Sequence, residues 1–195
     1  MQLTPITLTG RHVWLEPLTL NHASDLEPLA ADQELWRYMP FESLDDPGRL
    51  RAWIRALAGE SGTGHGLAFA CIDFASRRAV GMTTYMDVSA RDLRLEIGRT
   101  WLGRPYWRTA MNTECKYLLL AHAFEKLGCN RVQLKTDGRN LRSQAAIERL
   151  GAVKEGILRS HMVTSTGFVR DTVVYSIIAA EWPAVKGRLQ EMMRR

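Results

Sequence analysis

The chain has 195 residues, 46% of them hydrophobic, and a net charge of +5. This fits one large globular domain, with two small ones possible, and gives enough buried surface to fold without disulfides or metals. The charge suits an acidic ligand, but it is spread along the chain without a long basic run, so a nucleic-acid-binding arm is not indicated. No stretch approaches the ~18 apolar residues of a membrane span. Cys71, Cys115 and Cys129 are odd in number and form no C-x-x-C pair. Neither a disulfide frame nor a zinc site is expected, and the cytoplasm is the expected setting.

Taken in order, residues 12–17 (HVWLEP) alternate as a strand that Pro17 ends. Asn21 or Ser24 can start a helix running to about Ala31. Residues 35–41 form an aromatic connector with Trp36, Tyr38 and Phe41, either a plug over the core or a wall of a substrate cleft. Asp45, Asp46 and Pro47 start a second helix with Leu50, Trp53, Ile54 and Leu57 on one face. The glycine-rich segment 59–66 reads as a loop. Residues 67–74 and 79–88 read as a hairpin. Residues 93–101 (LRLEIGRTW) alternate as a strand whose Gly98 marks a bulge or a close backbone approach.

The stretch 101–128 organises the rest. It runs from strand through a short loop into a helix that Asn112 or Thr109 could cap and Gly128 could end. Free backbone N–H groups and the helix dipole converge at such a junction, which favours an anion, above all a phosphate. An ordinary strand–helix turn is the alternative. A strand at 131–136, a helix from Asn140 to Leu150 closed by Gly151, strands at 152–158 and 170–178, and an amphipathic helix at 181–193 follow. The expected architecture is one mixed α/β domain over residues 1–195, with a mostly antiparallel sheet flanked by helices. The last helix could cap that sheet or pack on a second copy, leaving a monomer or a homodimer.

Three pieces carry a family resemblance: LEIGRTWLGRPYWRTAMNTE, HAFEKLGCNRVQLKTDGRNLRSQAAIERLGAVKEGILR and GFVRDTVVYSIIAAEW. Asn140-x-x-Ser143, then Glu148-Arg149-Leu150-Gly151-Ala152 and Glu155-Gly156 with Arg159, resemble the GNAT acetyltransferases, and within them the Rim-type group that acetylates protein N-terminal amines. The resemblance implies the GNAT α/β fold, with its sheet splayed between strands 93–101 and 131–136, and acetyl-CoA as donor. It also places Arg108 where the family's phosphate loop has its middle glycine, and Pro105 at the loop's first position. Either the loop keeps its shape and Arg108 contacts a phosphate, or the loop is distorted and cofactor binding is weakened.

The resemblance and the loop reading together assign Trp101, Leu102, Arg104, Arg108, Thr109, Ala110, Met111, Asn112, Asn140 and Ser143 to the cofactor. Trp36, Tyr38 and Phe41 are assigned to the acceptor, a peptide N-terminus or a small-molecule amine. Amine acetylation needs a proton acceptor. Glu96, on the face opposite Leu95 and Ile97, is the first choice, against a salt-bridged strand residue; His65, Glu42 and Asp137 are weaker ones. Many relatives place a glutamate on the following strand, where this chain has Gln133 and Lys135. Ser143 is the candidate acid near the thiol, with Tyr175 as a further one. Asn140 could cap its helix, hold the pantetheine arm, or do both. No metal, nucleic acid or membrane is expected as a partner. A catalytically inactive CoA-binding or regulatory module is the alternative function.

Overall fold

A computed structural model describes residues 1–61 and 64–194. Gly62 and Thr63, at the centre of the glycine-rich loop read from the sequence, lie outside the described residues. Eight strands form one sheet in the order β1-β2-β3-β4-β5-β6-β8-β7. They are β1 Leu8–Thr9, β2 Val13–Pro17, β3 Leu67–Asp73, β4 Ala79–Ser89, β5 Arg94–Leu102, β6 Arg131–Asp137, β7 Val153–Val163 and β8 Val169–Ile178. Among the described residues only β5 and β6 pair in parallel. The other pairs are antiparallel. The helices are α1 Ala23–Ala30, α2 Pro47–Glu60, α3 Ala110–Ala121, α4 Leu141–Leu150 and α5 Trp182–Arg194. None of the described helices is long and apolar enough to cross a membrane.

The helix ends follow local chemistry. Asp46 caps α2 by accepting from Arg49 N at 2.8 Å, and Pro47 takes a position whose N–H would be unpaired anyway. Thr109 caps α3, accepting from Met111 N at 3.2 Å. Asn140 caps α4, accepting from Ser143 N at 3.0 Å, and Gly151 ends it in the left-handed conformation at φ 101°. The sequence pattern carries α3 straight on to Gly128. Instead its last turn widens at His122–Lys126, where Leu127 N–H reaches the His122 carbonyl, five residues back, at 3.0 Å.

Two apolar layers clamp the sheet. On one face α3, α4 and α5 bury Met111, Cys115, Leu119, Ile147 and Leu189 against Leu15, Phe69, Leu95, Val132 and Tyr175. On the other, α1 and α2 bury Leu26, Leu50, Ile54 and Leu57 against Ala68, Ala70, Met82 and Trp101. The last helix thus docks on its own chain through Trp182, Val185 and Leu189. All three cysteines are buried and reduced.

One irregularity positions the site. Met82 pairs with Trp101 and Thr84 with Gly98, so Thr83 alone faces Arg99 and Thr100. This is a bulge in β5, with Arg99 in the left-handed region at φ 49°. A bulge bends its strand and increases its twist. β5 pairs with β6 only from Arg94 to Glu96, against Arg131 to Gln133, and past that point the two strands part. The bulge therefore explains the splay. A Cβ on Gly98 would meet Met86 Sδ at 2.6 Å, so a larger residue there would push the methionine side chain aside.

Candidate active site

Where β5 and β6 diverge, a cavity of about 1360 Å³ passes through the sheet. Backbone groups of β5 beyond Glu96 that would have paired with β6 face this opening instead. On the α3 side its walls include Arg108, Asn112, Lys116, Asn140, Arg142 and Ser143. On the opposite side they include Tyr38, Phe41, Trp53, Glu96, His161 and Arg170. The alternation of β5 sends Leu95 and Ile97 into the core and leaves Glu96 on the other face.

Residues chosen from the sequence fall unevenly around this cavity. Glu96, Trp101, Leu102, Arg104, Arg108, Asn112, Asn140, Ser143, Tyr38 and Phe41 all line it. Trp36 does not. It is buried behind the wall, its ring 5.3 Å from that of Trp101 and its Nε1 donating to the Ala30 carbonyl at 2.8 Å. The connector is thus plug and wall at once. Thr109, Ala110 and Met111 contribute the start of α3, whose first-turn N–H groups lack helical partners apart from the one Thr109 caps. Arg104 reaches the cavity, but its guanidinium grips Asp32 at 2.6 and 2.8 Å. Arg108 takes the left-handed conformation at φ 59°, the one a glycine would adopt. At this one position the backbone has the shape a glycine would give, with a cationic side chain added.

Two cations near the helix start escaped the sequence reading. Arg142 lies 3.6 Å over the Trp107 ring, and Arg149 donates to Thr113 Oγ1 at 2.9 Å. Arg142, two residues after the Asn140 cap, could have been flagged by that spacing, whereas Arg149 lies in the last turn of α4 and reaches the start of α3 only through its contact with Thr113.

Glu96 is 6% exposed. Its Oε2 meets Lys135 Nζ at 2.8 Å and Gln133 Nε2 at 3.3 Å, so the residues standing where relatives carry a glutamate hold this one in place. Among the described residues no donor reaches its Oε1 within hydrogen-bond distance. The other base candidates are less suited. Glu42 is exposed beside Arg49, and His65 is exposed and does not line the cavity. Asp137 lines the cavity, but Arg139 holds its carboxylate at 3.0 and 2.7 Å. Burial pushes the Asp137 pKa up, and the Arg139 hydrogen bonds outweigh that and leave it below the usual range. Tyr175 is fully buried and donates to Glu148 Oε1 at 2.8 Å; burial and that carboxylate push its pKa up to about 12. It is a packed core residue, not a proton donor to the cavity. Asn140 is both a helix cap and a cavity wall. Among the described residues no group of three or more His, Cys, Asp or Glu is placed to hold a metal ion.

Lys116 is the least expected wall residue. It sits one turn beyond Asn112 on the cavity-facing side of α3, and its Nζ donates to Thr100 Oγ1 at 2.7 Å. Burial pushes its pKa down from 10.5 to about 8. The unfolded chain keeps this proton up to about pH 10.5, whereas the folded chain loses it near 8. Stability from this group therefore rises with pH through that window. Below it, the buried charge costs on the order of 3 kcal/mol. Lys116→Met should stabilise the fold at pH 7 and lose that advantage by pH 10, read as urea midpoints at both values. An equal advantage at both pH values would contradict the assignment.

Known structures share this fold, and they are described as acetyltransferases, some of them provisionally. A GCN5-related N-acetyltransferase from Brucella melitensis superposes with a TM-score of 0.90 at 28% identity, covering 97% of this chain and 89% of that one. A T. thermophilus structure whose acetyltransferase assignment is provisional gives 0.89 at 40% identity, over 99% and 100% of the two chains. YdaF of Bacillus subtilis (strain 168), provisionally a ribosomal N-acetyltransferase, is 28% identical over 134 residues, 69% of each chain. The chain belongs to the acetyltransferase (GNAT) domain family, whose model matches residues 12–153. It is an acetyl-CoA-dependent acetyltransferase by class.

Proposed function

We propose that the protein transfers an acetyl group from acetyl-CoA to a primary amine, a protein N-terminal α-amine or a small-molecule amine, by direct attack within a ternary complex. The observation that carries this reading is the parting of β5 and β6 after the Glu96–Gln133 pair. It opens a path from the start of α3 to a buried carboxylate. The residues present fit the donor. First-turn N–H groups of α3, with Arg108, Arg142 and Arg149, suit phosphates. Unpaired strand groups of β5 suit the amides of a pantetheine arm.

When bound, acetyl-CoA supplies an activated acyl carbon and a thiolate leaving group. Glu96 accepts the proton that an attacking amine must lose, with Lys135 and Gln133 fixing its orientation. Backbone N–H groups on the open edge of β5 offer donors for an oxyanion. Ser143, whose N–H donates to Asn140, lines the cavity and serves as proton donor to the departing sulfur. Tyr38 and Phe41 border the acceptor side and hold the two substrates together. No covalent enzyme intermediate is needed, so the buried cysteines serve packing. The cytoplasm is the fitting location.

Initial rates over a grid of acetyl-CoA and amine concentrations test the mechanism, with the acetylated product identified by mass. Intersecting double-reciprocal lines are expected. Parallel lines would indicate an acetyl-enzyme and overturn direct attack. The loop makes its own prediction. Arg108→Gly should raise the acetyl-CoA Kd about 10-fold by losing one charge-assisted contact. The melting temperature should not fall, since glycine accepts φ 59° without strain. An unchanged Kd by calorimetry would remove Arg108 from the site.

A further inference from the structure

Arg170 is an ionic group that the reaction just described leaves unused. It lies on β8, is 7% exposed, and lines the cavity on the Glu96 side. Among the described residues its buried Nε has no hydrogen-bond partner. The nearest carboxylate, Asp137, is 4.0 Å away. That carboxylate is already taken. Arg139 reaches it with two guanidinium nitrogens at 3.0 and 2.7 Å and with its backbone N–H at 2.8 Å. Glu96 attracts Arg170 electrostatically but is bonded to Lys135 and Gln133. His161, on the neighbouring strand, pairs its Nδ1 with Thr172 Oγ1 at 3.1 Å and offers no negative charge. Burial pushes the Arg170 pKa down, the direction expected of a cation short of compensation.

A buried guanidinium without a matched anion is costly, and chains keep one where an anion arrives. The planar fork of arginine suits a carboxylate in two-point contact. Position adds to this. Gln133, Lys135 and Asp137 alternate onto one face of β6. Lys135 meets Glu96, and Asp137 lies beside Arg170. The proton acceptor and the Arg170 guanidinium are therefore served by β6 residues two positions apart, on the order of 7 Å by strand rise.

We propose that the amine acceptor carries a carboxylate close to its amine, and that Arg170 binds this carboxylate while the amine faces Glu96. The proposal rests on the acetyl-transfer reading and narrows its acceptor to an anionic amine. Two sources share this chemistry: a free amino acid, and a peptide N-terminus followed by an acidic side chain.

The test compares wild type, Arg170→Gln and Arg170→Lys on matched acceptors. Free α-amino acids are set against their amides, and peptides beginning Ala-Asp against peptides beginning Ala-Asn. Wild type should favour the carboxylate member by roughly 10- to 100-fold in kcat/KM, mainly through KM. Arg170→Gln should abolish the preference and Arg170→Lys restore part of it. All three should melt normally and bind acetyl-CoA equally, because Asp137 keeps Arg139 in each. A preference confined to the amino acids identifies a small acceptor, and one confined to the peptides identifies a protein N-terminus. Equal use of both members by wild type, or a preference that survives Arg170→Gln, overturns the inference and leaves acetyl transfer standing. No transfer to any amine, with no acetyl-CoA binding, overturns both.

Discussion

Glu96→Gln should lower kcat with an amine acceptor by about 10²-fold or more, the contribution expected of a positioned general base, while the acetyl-CoA Kd stays within twofold of wild type, roughly the precision of the titration. The substitution is close to isosteric. It keeps an oxygen for Lys135 and Gln133, which hold Glu96 Oε2 at 2.8 and 3.3 Å. What it removes is the ability to accept a proton. A carboxylate that served only as the counter-charge of Lys135 would give a different result: a small change in melting temperature and an unchanged kcat. That outcome would move the proton to water or to the acceptor's own groups.

Glu114→Leu should destabilise the protein by about 4 kcal/mol, a fall of roughly 10 °C in melting temperature for a chain of this size. Glu114 is 3% exposed in the first turn of α3. Its carboxylate does not face the cavity. It accepts from the backbone N–H groups of Arg11, His12 and Val13 at 2.8, 2.7 and 3.0 Å. This ties the turn before β2 to the first turn of α3. Gly10 is part of the same clamp, since a Cβ there would stand 2.5 Å from Glu114 Cδ. The apolar replacement leaves the buried Val13 donor and the part-buried donors of Arg11 and His12 without a protein partner; a fully buried one costs about 1–3 kcal/mol and the other two less. Glu114→Gln keeps one carbonyl oxygen and should cost less than half as much. Equal melting temperatures for wild type and Glu114→Leu would show that these donors find water.

Local chemistry was legible in the sequence wherever it is local in fact. The alternation of β5, the caps Asp46 and Asn140, the left-handed Gly151 and the hairpin joining β3 to β4 all follow from neighbours in sequence. The two-residue strand β1 was missed because only its pairing with β2 defines it. The widened turn at His122–Lys126 was missed because a single π turn is defined by its backbone hydrogen bonds and is too short to change the apolar pattern visibly. Asp171 ties the last two strands together locally, accepting from Ser160 N at 2.7 Å where that residue stands at φ 48°. In the site, residues carried by motif or alternation gather on one cavity. Those whose role depends on strand order do not announce themselves. Arg170 lies near Asp137 because β8 runs antiparallel beside β6, an adjacency that no motif records. Trp36 shows the reverse limit: an aromatic connector has two faces, and sequence does not say which ring turns inward.

If acetyl-CoA lies in the opening between β5 and β6, hydrogen exchange with and without saturating acetyl-CoA will show it there. Amides of β5 beyond Glu96, of the first turn of α3 and of the start of α4 should gain protection, while those of β1 to β3 should not change. Protection elsewhere, or none at saturation, would contradict the account.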